Sequence, residues 1–160
     1  MVNNTQHRKA NSTATASGRF TITKYRAGTD EVLYQSPTMS NVVLNQGLAL
    51  IANRHVGTSS PLDITTLEIT DDDTAPSATD TALGGTVVDG FQRANQSASG
   101  REAALSFFLP DAALPNGTYN KLGVRTAGDV LYTAALIDPS LTKSDNEDIR
   151  IDYTITYSAV

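Results

Sequence analysis

The alternation of side chains near the end of this chain constrains its fold most strongly. Ile149, Ile151, Tyr153, Ile155 and Tyr157 occupy every second position, and the residues between them are charged or carry hydroxyl groups. Because successive side chains of a β-strand point to opposite faces, this period of two predicts a strand. One of its faces is expected to be buried, and the other to meet water or a partner.

Shorter runs of β-branched and aromatic residues recur along the chain, separated by turn-forming residues. Residues 20–25 and 32–34 predict a hairpin. Further strands are predicted at residues 64–70, 86–93, 102–109, 119–126, 130–137 and 148–157, with breaks at residues 95–97, 110–117, 127–129 and 138–139. These intervals are typical of a mainly β fold, an antiparallel β-sandwich that is jelly-roll-like and has about eight strands.

Residues 41–55 have helical spacing instead, and predict one short helix that caps an end of the sandwich. We expect Asn41 or Asn45 to cap its start and Gly57 to end it. Gly47 weakens a helix, so an extended conformation of the first turns is the alternative. The apolar positions at helical spacing are Leu44, Leu48, Ile51 and Ala52.

Residues 1–18 are nearly all small or polar and follow neither period. Such a segment cannot bury enough apolar area to fold alone, so we predict an extended N-terminal arm over residues 1–18 and a single β-sandwich domain over residues 19–160. The arm is either a frayed terminus or a segment that becomes ordered on a neighbouring subunit.

Composition excludes several classes of function. The chain has no cysteine, so it has neither disulfide bonds nor a thiolate nucleophile. Its formal net charge of -5 disfavours binding to phosphates, so we expect no nucleic-acid partner. It has no apolar run long enough to cross a bilayer and no export signal at its start, so we expect no membrane association.

Residues suited to catalysis are sparse. The two histidines are His7 in the arm and His55 at the end of the predicted helix, and no nucleophile elbow, phosphate-binding loop or zinc-protease motif is present. We therefore expect no enzymatic activity and no cofactor. Asp71, Asp73 and Asp80 are candidate ligands for Ca²⁺, although their spacing is not that of an EF-hand and favours a solvated acidic turn.

Three stretches resemble small virion structural proteins of tailed bacteriophages and related archaeal viruses. They are residues 41–51 (NVVLNQGLALI), residues 74–85 (TAPSATDTALGG) and residues 143–157 with their alternating Ile and Tyr. In such proteins the first is a helix after an N-terminal hairpin, the second a loop that leads into the next strand, and the third the final strand. The resemblance implies a non-enzymatic virion component, in the tail, neck or baseplate rather than the head.

These considerations predict a homo-oligomer in the virion, assembled in the host cytoplasm, whose partners are other copies of itself and neighbouring virion proteins. The alternatives are a capsid decoration or cement protein, and a receptor- or glycan-binding module of the tail tip. The candidate subunit-contact residues are Asn3, Arg8, Asn11, Thr13, Phe20, Tyr25, Thr74, Pro76 and Asp80.

Overall fold

A computed structural model describes residues 14–58 and 60–159, and this part of the chain contains ten strands and one helix. The strands are β1 (Ala14–Arg26), β2 (Val32–Gln35), β3 (Met39–Ser40), β4 (Val42–Val43), β5 (Ile64–Thr70), β6 (Val87–Ser99), β7 (Glu102–Leu109), β8 (Gly117–Thr126), β9 (Leu131–Lys143) and β10 (Glu147–Ala159). Helix α1 (Asn45–His55) lies between β4 and β5. The predicted mainly β, antiparallel fold with one short helix is confirmed.

The strands form one antiparallel sheet in the order β2-β1-β10-β7-β6-β5-β8-β9-β4, with β3 also paired to β1. Strand β6 changes partner along its length, since residues 87–92 pair with β5 and residues 93–99 pair with β7. The short strands β3 and β4 pair with β1 and β9, which lie near opposite ends of the strand order. Residues 39–43 therefore link the two ends of the sheet.

The sheet folds over on itself, because side chains from distant strands touch. The hydroxyl groups of Thr133 on β9 and Tyr153 on β10 are 2.5 Å apart, although four strands separate β9 from β10 in the sheet. Phe20, Ile151, Leu67 and Leu122, from both halves of the sheet, belong to one buried cluster. This is the layered arrangement that a sandwich requires, and the jelly-roll-like connectivity stays a prediction.

Strand β10 has the buried face that its alternation predicts. Ile149 and Ile151 are fully buried, and Tyr153 and Ile155 are 1% and 2% exposed. Tyr157 departs from the pattern, because its side chain is 39% exposed near the end of the strand. Its hydroxyl group nevertheless lies 3.0 Å from that of Tyr132 on β9.

Helix α1 begins at Asn45, and residues 42–43 are extended as β4, so the alternative of extended first turns is confirmed. The N-cap prediction is wrong, because Leu44 is the N-cap residue and makes no side-chain capping bond, whereas Gly57, with a φ of +84°, ends the helix as expected. The predicted apolar face holds in part: Leu44 is buried and Ile51 packs against the core, but Leu48 is 43% exposed and Ala52 is exposed as well.

Gly47 sets how closely α1 approaches β9. A Cβ atom at this position would lie 2.8 Å from the carbonyl oxygen of Tyr132 and 2.8 Å from its ring. The glycine that lowers helix propensity is therefore needed for packing, because any side chain would push the helix away from the sheet.

Two of the four predicted breaks are confirmed, since β7 and β8 are separated after Leu109 and β8 and β9 after Thr126. The other two are wrong, since β6 runs through residues 95–97 and β9 runs through Asp138 and Pro139. Each position is a pairing irregularity within a strand. The register shifts between Arg93 and Asn95, and four residues of β9, including Pro139, bulge between the partners of Tyr119 and Lys121. Proline is tolerated in a strand at such bulges because no ladder bond is required of it.

The arm also ends earlier than predicted. Residues 14–18 belong to β1, and they pair with residues 155–159 of β10. Small residues such as Ala14, Ala16 and Gly18 have weak strand propensity, so the sequence does not predict a strand here. Their extended conformation is fixed by pairing with β10.

Ile151→Asp should prevent folding, because it places an unpaired charge in the core where Ile151 is fully buried. Thr154→Asp is the matched control, since Thr154 lies on the opposite, partly exposed face of β10. Circular dichroism melting should show a cooperative transition for the control and none for Ile151→Asp. A cooperative transition in both variants would contradict the assignment of the buried face.

Candidate functional site

Residues 71–86, here called the acidic loop, are held together at their two ends. The Thr70 hydroxyl donates to the Gly84 carbonyl at 2.8 Å, and the Thr86 backbone N–H donates to Asp71 Oδ1 at 2.7 Å. From β8, the side-chain amide of Asn120 donates to the Asp71 carbonyl at 2.6 Å. These bonds close the loop beside β5 and β8.

Lys121 on β8 joins the acidic loop to the sheet. Its side chain is 3% exposed, forms an ion pair with Asp72 and donates to the Leu83 carbonyl at 2.9 Å. The hydrogen bond from Lys121, together with the backbone N–H of Thr74, lowers the pKa of Asp72 to about 2. A nearly buried ammonium needs such a partner, so Asp72 is held in place by the burial of Lys121.

The acidic loop also packs against the helix. Leu83 is 2% exposed and belongs to a small apolar cluster with Leu44, Leu131 and Ala134. The backbone N–H of Asn45, in the first turn of α1, donates to the Ala78 carbonyl at 2.8 Å. The loop therefore satisfies a helix N-terminal donor that no side chain caps.

The three candidate calcium ligands do not come together. Asp71 Oδ1 accepts the Thr86 N–H, and Asp80 Oδ2 accepts the Ser77 N–H at 2.8 Å. Asp73 is exposed. Within residues 14–58 and 60–159, no group of three His, Cys, Asp or Glu side chains could hold a metal ion. The carboxylates of Asp71 and Asp80 instead accept backbone N–H groups, in keeping with the acidic turn that the sequence favours.

The candidate subunit-contact residues divide into three groups. Asn3, Arg8, Asn11 and Thr13 lie outside the described residues. Phe20 is 1% exposed and packs in the core, so its proposed role at a contact is wrong: its position in the alternation of β1 points it inward. The remaining candidates are at least partly accessible; they are Tyr25, Thr74, Pro76 and Asp80.

The outer side of α1 carries an apolar surface that the sequence analysis missed. Leu48 is 43% exposed, Val56 is 80% exposed, and Ala52 lies between them and is also exposed. A spacing of four residues places these three side chains, here called the helix stripe, along one side of the helix and its C-cap. Leu48 and Ala52 were recognised in the sequence only as part of the apolar spacing of the predicted helix, and Val56 lies just beyond that helix.

A groove, here called the outer groove, runs along the outer face of β1, β10, β7 and β6. It consists of two clefts of about 510 and 320 Å³ that share Asn95, Ser106 and Arg150. Residues paired directly across strands share a face, so Phe108 lies beside Arg150, and Ser106 beside Asp152. Tyr25 and the turn at residues 28–30 lie at one end.

Charges in the outer groove are largely paired. Arg150 Nε donates to Asp152 Oδ1 at 2.9 Å, and the two side chains are each about half exposed. The Asp148 carboxylate accepts the backbone N–H groups of Gly28 and Asp111, at 2.9 and 2.8 Å. The groove thus offers aromatic faces and hydrogen-bonding groups without a strong excess of positive charge.

Comparisons with protein-family models, curated proteins and solved structures find no match for this chain. In the part of the chain that the structure describes, no helix is long and apolar enough to cross a membrane.

Asp72→Asn should reduce the melting temperature by several degrees near neutral pH, because the buried Lys121 loses its charged partner. The pKa of Asp72 lies below its ordinary value of 3.8, so the ion pair stabilises the fold above about pH 4 and loses this effect as the pH falls toward 2. The difference between the native chain and the variant should therefore shrink in calorimetric melts at decreasing pH. Asp73→Asn is the control, and a difference that stays constant with pH would contradict the pairing.

Gly85→Ala should destabilise the protein more than Gly28→Ala, although both glycines have positive φ, of +67° and +73°. A Cβ at Gly85 would lie 2.6 Å from Asp71 Oδ1, whereas a Cβ at Gly28 would meet no atom within 4 Å. Gly28→Ala should cost about 1–2 kcal/mol for its backbone conformation alone, and Gly85→Ala should cost more. Urea unfolding measures both, and equal values would mean that the acidic loop moves aside freely.

Proposed function

We propose that this protein is a non-enzymatic structural component of a tailed-virus particle, in the tail, neck or baseplate, and that it assembles through contacts between subunits. In this proposal it forms a homo-oligomer in the virion, is assembled in the host cytoplasm, and contacts neighbouring virion proteins. The proposal rests on the resemblance of three sequence stretches, on their arrangement in space, and on the helix stripe.

The first two stretches of the resemblance pack against each other. Leu44, from residues 41–51, and Leu83, from residues 74–85, share one buried cluster. The hydrogen bond from Asn45 to Ala78 joins the same two stretches. Two of the three stretches therefore form one packed unit, which supports the resemblance better than isolated sequence matches would.

The helix stripe is the observation that carries the proposed assembly. Exposure of apolar side chains to water is unfavourable, and burying them against another protein lowers the free energy. A group of such side chains on one side of a helix is characteristic of a surface that binds another protein. Leu48 and Val56 are about half and four-fifths exposed in the isolated chain. A neighbouring subunit that covers them would remove this apolar area from water.

The N-terminal residues supply a second contact in this proposal. Strand β1 begins at Ala14 and is paired to β10 from its first residue, so the point at which the preceding residues join the sheet is fixed. Their polar Asn, Ser and Thr side chains can satisfy extended backbone on a neighbouring subunit. Because residues 14–18 belong to the sheet, the arm in this proposal is residues 1–13.

Light scattering on the purified protein tests the assembly. We expect the full chain to have several times the 17.0 kDa mass of one chain, and deletion of residues 1–13 or the substitution Leu48→Lys to lower that mass. Val87→Lys is the matched control, because Val87 is 40% exposed but lies on β6, outside the helix stripe. A monomeric full chain, or equal loss of mass in the control, would contradict assembly through these surfaces.

Mass spectrometry of fractionated virus particles tests the location. Detection in purified tails supports the tail, neck or baseplate. Detection on purified capsids alone would instead support the alternative of a decoration or cement protein, and absence from both would refute a virion role.

A further inference from the structure

We infer that the outer groove binds a neutral oligosaccharide. This role goes beyond particle assembly and does not depend on it. Four observations carry the inference: two aromatic side chains on the groove face, a row of short polar groups next to them, the saturation of the strand backbones, and the balance of charge.

The aromatic side chains sit on strands that flank β10. Tyr25 of β1 pairs with Asp148, and Phe108 of β7 pairs with Arg150, on the same outer face. Two strand spacings separate them laterally by about 10 Å, so they can contact different rings of one chain. Phe108 is 46% exposed, which leaves its ring accessible to the apolar face of a sugar.

A row of polar groups lies next to the aromatic rings, at the level of Asp152. Ser106, 6% exposed, is shared by the two clefts, and Asn95 is exposed beside it on β6. Both bonds from Arg150 to Asp152 use Oδ1, and the Asp152 side chain is 42% exposed. Amide, carboxylate and hydroxyl groups of this kind donate to and accept from sugar hydroxyls.

The sheet backbone argues against an extended peptide as the ligand. Strand β10 is paired to β1 on one side and β7 on the other, and β7 is paired to β10 and β6. Their N–H and C=O groups are already used, so a peptide cannot add to the sheet as another strand at this face. Recognition in the groove must come from side chains.

Charge argues against an anionic ligand. Arg150 is neutralised by Asp152, and Asp30 and Asp148 add negative charge at one end of the groove. Arg150 is the only cation among the described residues that line the groove, and it is paired with Asp152, so the groove favours a neutral ligand over phosphate or uronate groups. The joining of two clefts into one groove favours a linear chain of several sugar rings over a single ring.

Titration of the ¹⁵N-labelled full chain, followed by amide NMR shifts, tests the inference. The probes are maltohexaose, cellohexaose, mannohexaose and N-acetylchitohexaose, with hexagalacturonate and hexalysine as charged comparisons. At least one neutral probe should shift signals of residues 94–96, 106–108 and 148–152. Phe108→Ala and Asn95→Ala should each weaken that binding. We expect Phe108→Ala to weaken it about tenfold, which is the size of effect seen when an aromatic side chain that stacks on a nucleic-acid base is replaced by alanine.

Leu33→Ala is the matched control, because Leu33 is 41% exposed and lies outside the outer groove. It should bind the probe as the native chain does, and melting curves should show that all three variants remain folded. Failure of every neutral probe to shift the groove signals would overturn the inference. Binding of hexagalacturonate alone or hexalysine alone would overturn it as well, because charge rather than stacking would then select the ligand.

Discussion

The pairing of β1 with β10 is the interaction on which the rest of the fold depends. It extends over thirteen residue pairs, from Ala14 with Ala159 to Arg26 with Glu147. It places Phe20 and Ile22 beside the apolar face of β10, and β10 in turn pairs with β7. The inner face of these strands forms much of the core, whereas their outer face forms the outer groove, so one register fixes both the core and the candidate binding surface.

Without disulfide bonds, the chain holds its loops with buried ion pairs. Lys121 holds the acidic loop through Asp72, and Lys143, whose side chain is 1% exposed, holds Asp111 at 2.5 Å. Glu68 is 4% exposed and pairs with Arg125 between β5 and β8. An isolated charge at any of these buried positions would be strongly unfavourable, so each pair fixes its geometry even where it adds little net stability.

The alternation of side chains is enough to predict the inner face of β10, because burial on one face imposes a period of two there. Strand β7 has three consecutive buried residues, and is predicted instead by its run of apolar and aromatic residues between turns. Positions where a distant partner decides the conformation could not be predicted in this way. From sequence alone Gly47 is expected to weaken the helix, whereas the structure shows that it allows close packing against Tyr132. Pro139 is likewise expected to end a strand, but it lies in a bulge of β9 opposite β8. The outer groove was missed for a related reason: Tyr25 and Phe108 are far apart in sequence and meet through register alone.

The large sequence separation between the paired strands β1 and β10 affects how the protein folds. Among the described residues β1 is the first strand and its partner β10 is the last, so the longest ladder of the sheet joins residues that are far apart in the sequence. Closing so long a loop has a high entropic cost before any contact repays it, which makes folding slow in topologies of this kind. Until β10 pairs with it, β1 exposes an unpaired edge that can pair with other chains.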